Sequence, residues 1–158
     1  FFENCKAGIN LSAIKLALKA KGLNINELDA SGRSALHLAS QESNENVVKL
    51  LLSHPNIDVN MQDEYSKSAL NLAAKSGNAE VTKLLVSHPE IDVNMEDAQE
   101  FKTALHVAAY EGHLEVTKLL LSHRDIDINK ETIFFDTALS IAKSRGHKAV
   151  ANLIKKAR

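Results

Sequence analysis

Seven histidines are the residues of this chain best equipped for chemistry, as metal ligands or as proton carriers near neutral pH. Three of them, His54, His88 and His123, end the similar phrases "LLSH", "LVSH" and "LLSH", at intervals of 88−54 = 34 and 123−88 = 35 residues. Zinc needs its ligands within about 2.1 Å of one ion. Residues that recur once per repeating unit instead lie about one packing step apart, roughly 10 Å. The three rings are therefore expected to be structural, each near a helix C-terminus where a partly protonated imidazole suits the helix dipole. No metal and no cofactor is expected. Nucleophilic catalysis has no better support: Cys5 lacks a local Cys-His signature, the serines fall at helix starts, and the acidic residues are scattered along polar turns. The six glycines form no phosphate-cradling loop. The chain is expected not to be an enzyme.

Composition narrows the class further. The chain has 158 residues with 44% hydrophobic content, and no run of about 18 apolar residues that would span a membrane. A formal charge of −1 lacks the basic field of a nucleic-acid binder. Neither nucleic acid nor membrane is an expected partner. From Lys143 onward six basic residues (Lys143, Arg145, Lys148, Lys155, Lys156, Arg158) occur without an acidic one, which reads first as a solvated terminal face. A single cysteine and no leader pattern fit a reducing compartment, cytoplasmic or nuclear. Asn10-Leu11-Ser12 matches a glycosylation acceptor, but nothing else suggests secretion. The missing initiator Met fits a processed chain or a fragment.

The elements that position these residues are repeated. "SALHLAS" at Ser34 returns as "SALNLAA" at Ser68, "TALHVAA" at Thr103 and "TALSIAK" at Thr137. Each Ser or Thr is a good N-cap, and the alanine after it is the best helix former. Each short helix ends near Ser43-Asn44, Gly77-Asn78, Gly112-His113 or Gly146-His147, where glycine suits a left-handed helix terminus. A second helix follows with apolar residues at helical spacing, such as Val47, Val48, Leu50 and Leu51. "SHPNIDVN" and "SHPEIDVN" then stop it with proline. Two short helices cannot bury enough surface alone, so the units must stack.

The unit resembles the ankyrin repeat, whose T-P-L-H-x-A phrase, G-H before the second helix, L-L-L within it and D-V-N after it are matched here. Alanine replaces the family's proline, and Asn71 and Ser140 replace the histidine that His37 and His106 supply, which puts the family's inter-repeat hydrogen bond in doubt at those two places. The resemblance implies an all-α fold, an ankyrin-repeat solenoid of stacked helix-turn-helix units with protruding turns. It covers residues 1–158 as one domain: a partial repeat at 1–26, repeats at 27–60, 61–94 and 95–129, and a capping repeat at 130–158. It also implies that Asn60, Asn94 and Asn129 mainly tie the turns, although in some members such an asparagine is hydroxylated.

Five phenylalanines and two tyrosines are the only aromatics, so aliphatic residues must build the core. Beyond Phe1 and Phe2 they all lie in turns or at their inner edge: Tyr65, Tyr110, Phe101, Phe134 and Phe135. The resemblance implies a concave partner-binding surface made by turn tips and first helices, and aromatic anchors suit such a surface. Tyr65, Tyr110 and Phe134 are expected to touch a partner, with Phe101 also a contact candidate. Phe101 and Phe135, aligned with Gly32 and Ser66, are also expected to pack between neighbouring turns. Around them Arg33, Gln41, Glu64, Lys67, Lys75, Gln99, Lys102 and Glu111 occupy equivalent places of mixed charge.

These readings point to a non-catalytic, monomeric module that binds another protein on its concave face. The alternative is a regulatory or tethering segment of a larger enzyme, channel or effector. One stability consequence follows from the pattern. Ser43 stands where other units have glycine, and a non-glycine residue in the left-handed region costs about 1 kcal/mol. Ser43→Gly should therefore stabilise the array by at least several tenths of a kcal/mol in thermal melts; a lowered midpoint would mean that Ser43 is not left-handed.

Overall fold

The computed structural model describes residues 1–7, 11–20 and 22–157. Asn10 of the glycosylation match and Arg158 of the basic run lie outside them. The described residues form five helix pairs: α1 (Phe2–Ala7) with α2 (Leu11–Leu18), α3 (Ala35–Gln41) with α4 (Glu45–Leu52), α5 (Ala69–Ser76) with α6 (Ala79–Val86), α7 (Ala104–Glu111) with α8 (Leu114–Leu121), and α9 (Ala138–Ser144) with α10 (Lys148–Ala157). First helices pack on first helices and second on second, giving two layers. None of these helices is long and apolar enough to cross a membrane.

Small residues make the inner layer close-fitting. Ala35, Ala39, Ala69, Ala73, Ala104, Ala108, Ala138 and Ala142 are all buried, so neighbouring first helices approach without side chains to spread them. Leu36, Leu70 and Leu105 fill the seam to the second layer, where Leu51, Leu85, Leu120 and Ile154 are likewise buried. Each such aliphatic side chain contributes about 1.5–3 kcal/mol when fully removed from water. The hydroxyls of Ser34, Ser68 and Thr137 cap their helices by accepting from the N–H of His37, Asn71 and Ser140.

The helix ends explain the glycines twice over. Gly77 and Gly112 have φ of 73° and 80°, and Ser43 joins them at 59°, as its alignment requires. The imidazole of His113 lies over Gly77 and that of His147 over Gly112, so a Cβ at either glycine would come within 2.6 Å of a ring atom. His113 Nε2 also lies 3.2 Å from the Lys75 carbonyl, and His147 Nε2 lies 3.0 Å from that of Tyr110. Above Ser43 no such ring stands. The equivalent residue, Asn78, turns instead to accept from Val81 N–H at 2.9 Å, which leaves room for the serine.

A second set of bonds ties each turn to the preceding first helix. His37 Nδ1 accepts from the Ser34 N–H at 3.1 Å, which leaves its Nε2–H to donate to the Lys67 carbonyl at 2.9 Å. His106 repeats this with Thr103 and Lys130. At Asn71 the bond that the change of residue put in doubt is present: its Oδ1 accepts from Ser68 N–H while Nδ2 donates to the Lys102 carbonyl at 3.2 Å, so the amide reproduces both faces of the imidazole. Ser140 is too short to reach outward and bonds to Asp136 and Thr137. Asn60 and Asn94 bridge successive turns as the resemblance implied, and Asn26 does so too; the Asn129 side chain makes no such bond among the described residues.

His54, His88 and His123 each close a local turn just after their helices. Each Nδ1 accepts from the backbone N–H two residues later, at 3.2 to 3.3 Å, and so closes the turn after the helix through its lone pair.

Burial lowers the pKa of His37 and His106, and that effect exceeds the opposing pull of Asp63 and Asp29 on the first ring and of Glu96 on the second, where Lys102 adds to the lowering. Protonation would also set an N–H against the cap N–H at Nδ1. The unfolded chain takes up these protons below about 6.5 while the folded chain resists, so stability falls as pH drops through that value. A His37→Asn, His106→Asn double variant, built on the Asn71 precedent, should lose less in melting midpoint than the natural chain between about pH 7.5 and 5. Parallel curves would refute the assignment.

Candidate functional site

The turn tips are braced by one side chain each before any partner contact is considered. Asp63 Oδ1 accepts from the N–H groups of Tyr65 and Lys67, both at 2.9 Å; Asp97 Oδ1 accepts from Glu100 and Lys102, and Thr132 Oγ1 from Phe134 and Asp136. In the first tip Asp29 also takes the Arg33 guanidinium at 2.9 Å. The extra residue of the 35-residue interval is inside the third tip: the closing bond runs from Asp97 to Lys102, against Asp63 to Lys67 in the second. Rigid tips hold their side chains in place.

Every tip passes through the left-handed region at one residue. Gly32 (φ 67°), Ser66 (56°), Phe101 (56°) and Phe135 (61°) are equivalent in this respect, which fixes the alignment that the extra residue had blurred. Phenylalanine is poorly suited to that conformation. The expectation that Phe101 and Phe135 pack between neighbouring turns is wrong for Phe135, which is 81% exposed, and incomplete for Phe101 at 48%. Ile133 and Phe134 are exposed beside Phe135, and Ile133 N–H donates to the Glu100 carbonyl at 3.0 Å, joining the last tip to the one before it.

Between tips and first helices run three adjoining grooves. Arg33, Gln41, Glu64 and Tyr65 line the first, together with Lys67 and Lys75. Those two lysines continue into the second, with Gln99, Lys102, Tyr110 and Glu111. Lys102 and Tyr110 then line the third with Phe134. All the expected contact residues are thus brought to one surface except Phe101, which lines none of these grooves.

Residues missed by the sequence reading complete the surface. Leu72, Val107 and Ile141 form its apolar floor. They follow the His, Asn or Ser of each repeated phrase by one position, so the repeat itself carried the signal. Arg145, assigned to a solvated basic face, stacks on Tyr110 with its guanidinium carbon 3.8 Å from the ring centroid, while Lys102 Nζ lies 5.2 Å from the same ring. Lys67 lies 5.6 Å from the ring of Tyr65. Such contacts hold a cation over an aromatic face at about 0.5–1 kcal/mol when exposed.

Other chemistry-bearing groups are placed differently. Cys5 is buried, and desolvation pushes its thiol up to about 11, so it is protonated at neutral pH. Among the described residues no three His, Cys, Asp or Glu side chains converge as a metal site.

A family model described as ankyrin repeats (3 copies) matches residues 4–97 and again 55–132, together 132−4+1 = 129 of the 158 residues. The chain belongs to the ankyrin-repeat family. No curated protein matches it. Ankyrin repeats are generally protein–protein interaction modules and generally non-catalytic.

The exposed, left-handed Phe135 generates a prediction. Replacing it by glycine removes the strain and little buried surface, so Phe135→Gly should raise stability by about 1 kcal/mol, read as a higher melting midpoint. An unchanged or lower midpoint would show that the ring contributes packing which offsets the strain.

Proposed function

We propose that residues 1–158 act as one non-catalytic array that binds a partner protein along the three grooves between turn tips and first helices. The observation that carries this reading is the Tyr110 site: an aromatic ring on α7 with Arg145 on one neighbouring unit and Lys102 in its own turn, at the junction of two grooves floored by Val107 and Ile141. Aromatic rings and arginines of this kind are favoured as energetic centres of interfaces. The contact set is Arg33, Gln41, Glu64, Tyr65, Lys67, Lys75, Gln99, Lys102, Tyr110, Glu111 and Phe134, with Arg145 added. Phe101 contributes from the tip edge. The mechanism is preorganisation: side chains already held by cations, caps and turn bonds lose little freedom when a partner arrives.

The test compares two folded variants in affinity capture followed by measurement of binding to the captured protein. Tyr110→Ala with Arg145→Ala removes the groove junction, whereas Lys83→Ala with Lys118→Ala changes exposed lysines on the second helices α6 and α8. Loss of binding by at least ten-fold in the first and retention in the second is the expected result. Equal binding by both would refute the groove as the contact surface.

A further inference from the structure

The chemistry of the partner can be taken further, resting on the groove reading above. The grooves contain both signs of charge, but the two signs are not equally free. Asp63 and Asp97 are held in their own tips by backbone N–H groups on Oδ1, Asp136 is held by Ser140 Oγ, and Glu100 pairs with Lys102, so these carboxylates are fixed in the turns although they keep their charge. Arg33 is likewise held by Asp29. Among the described residues Lys67, Lys75 and Arg145 form no ion pair with any carboxylate. Each of them lines one or two of the grooves. Arg145 presents a planar fork, stiffened by Tyr110, which suits a carboxylate in two-point contact.

We infer that the natural ligand is an extended segment of a partner protein with an acidic residue at each end and apolar residues between, its carboxylates meeting Lys67 and Lys75 at one end and Arg145 at the other. Glu64 and Glu111 are the carboxylates left free along these walls, and they disfavour a negative charge brought beside them. Glu111 lies between the two cationic ends, so the middle of the ligand is uncharged, with its side chains on Leu72, Val107 and Ile141. The spacing follows from the stack. Lys75 on α5 and the Arg145 that follows α9 are separated by two packing steps, roughly 20 Å in all at about 10 Å each. An extended chain covers that in about six residues, and side chains six apart point to the same face.

A seven-residue peptide with glutamate at both ends, leucine at its third and fifth positions and serine elsewhere is the probe, labelled and titrated by fluorescence anisotropy. Expected is binding at least ten-fold tighter than that of the same peptide with lysine at both ends. Lys75→Glu with Arg145→Glu, checked for folding by circular dichroism, should reverse that order; if this variant does not fold, Lys75→Gln with Arg145→Gln should abolish the preference. Three results would overturn the inference: equal or tighter binding of the lysine peptide, no binding of either, or equally tight binding of an all-glutamate peptide, which would mean attraction without recognition. If the captured protein depends on Tyr110 and Arg145 while the peptides show no acidic preference, the ligand chemistry fails and the groove reading stands.

Discussion

The structure depends on one hydrogen bond repeated along the stack, from a side chain at the start of a first helix to a carbonyl at the base of the next unit's turn: His37 to Lys67 and Asn71 to Lys102, each just before the next cap, and His106 to Lys130, on the opposite side of its turn. The same side chain receives the N–H of its own cap, so helix start, turn base and neighbouring unit are fixed by one group. Without it a buried carbonyl or cap N–H would be left unpaired, at a cost of about 1–3 kcal/mol. Everything on the inner surface is set by this bond, because the tips spring from the residues it holds. A neutral ring or an amide can make it. A charged ring could still donate to the carbonyl but could not accept the cap N–H, so the site needs one acceptor and one donor, and a neutral histidine and an asparagine both supply them.

Much of the architecture was legible because a nearest-neighbour stack writes its constraints once per unit. Caps, alanine seams, helix-ending glycines and even the left-handed serine at Ser43 could be read from alignment of the chain with itself. Where a residue acted through a neighbour in space, alignment was silent. Asn71 looked like a lost bond because its type differs from histidine, yet its amide offers an acceptor and a donor about as far apart as the two ring nitrogens. His54, His88 and His123 could be placed at helix ends, but alignment did not show the backbone N–H two residues later that each Nδ1 meets.

Arg145 shows the limit most sharply. Its neighbours in sequence are basic, which suggested a solvated face; its neighbour in space is Tyr110, one unit back, and no local pattern announces that stack. Phe135 was misplaced for a related reason. It shares its left-handed backbone with Gly32 and Ser66, the residues it aligns with, but its ring is exposed, so shared position did not mean packing between turns.

Rigidity and the proposed contact surface meet at the same residues. The carbonyls of Lys75 and Tyr110, two residues of the grooves, each lie within hydrogen-bonding reach of the histidine that covers the helix-ending glycine next to them: His113 over Gly77, and His147 over Gly112. At the equivalent helix end near Ser43 that ring is absent, because Asn78 is occupied with its own helix. These bonds fasten the stack at the helix ends that carry Lys75 and Tyr110. Local opening in such arrays follows local bonding, so the junction of α3 with α5, where Asn78 makes no such bond among the described residues, can loosen at less expense than these; at the junction before it Asn44 does reach back, to the Cys5 carbonyl. A surface whose backbone is tied from behind and whose cations rest on aromatic rings offers a partner little left to order, and that converts modest individual contacts into useful affinity.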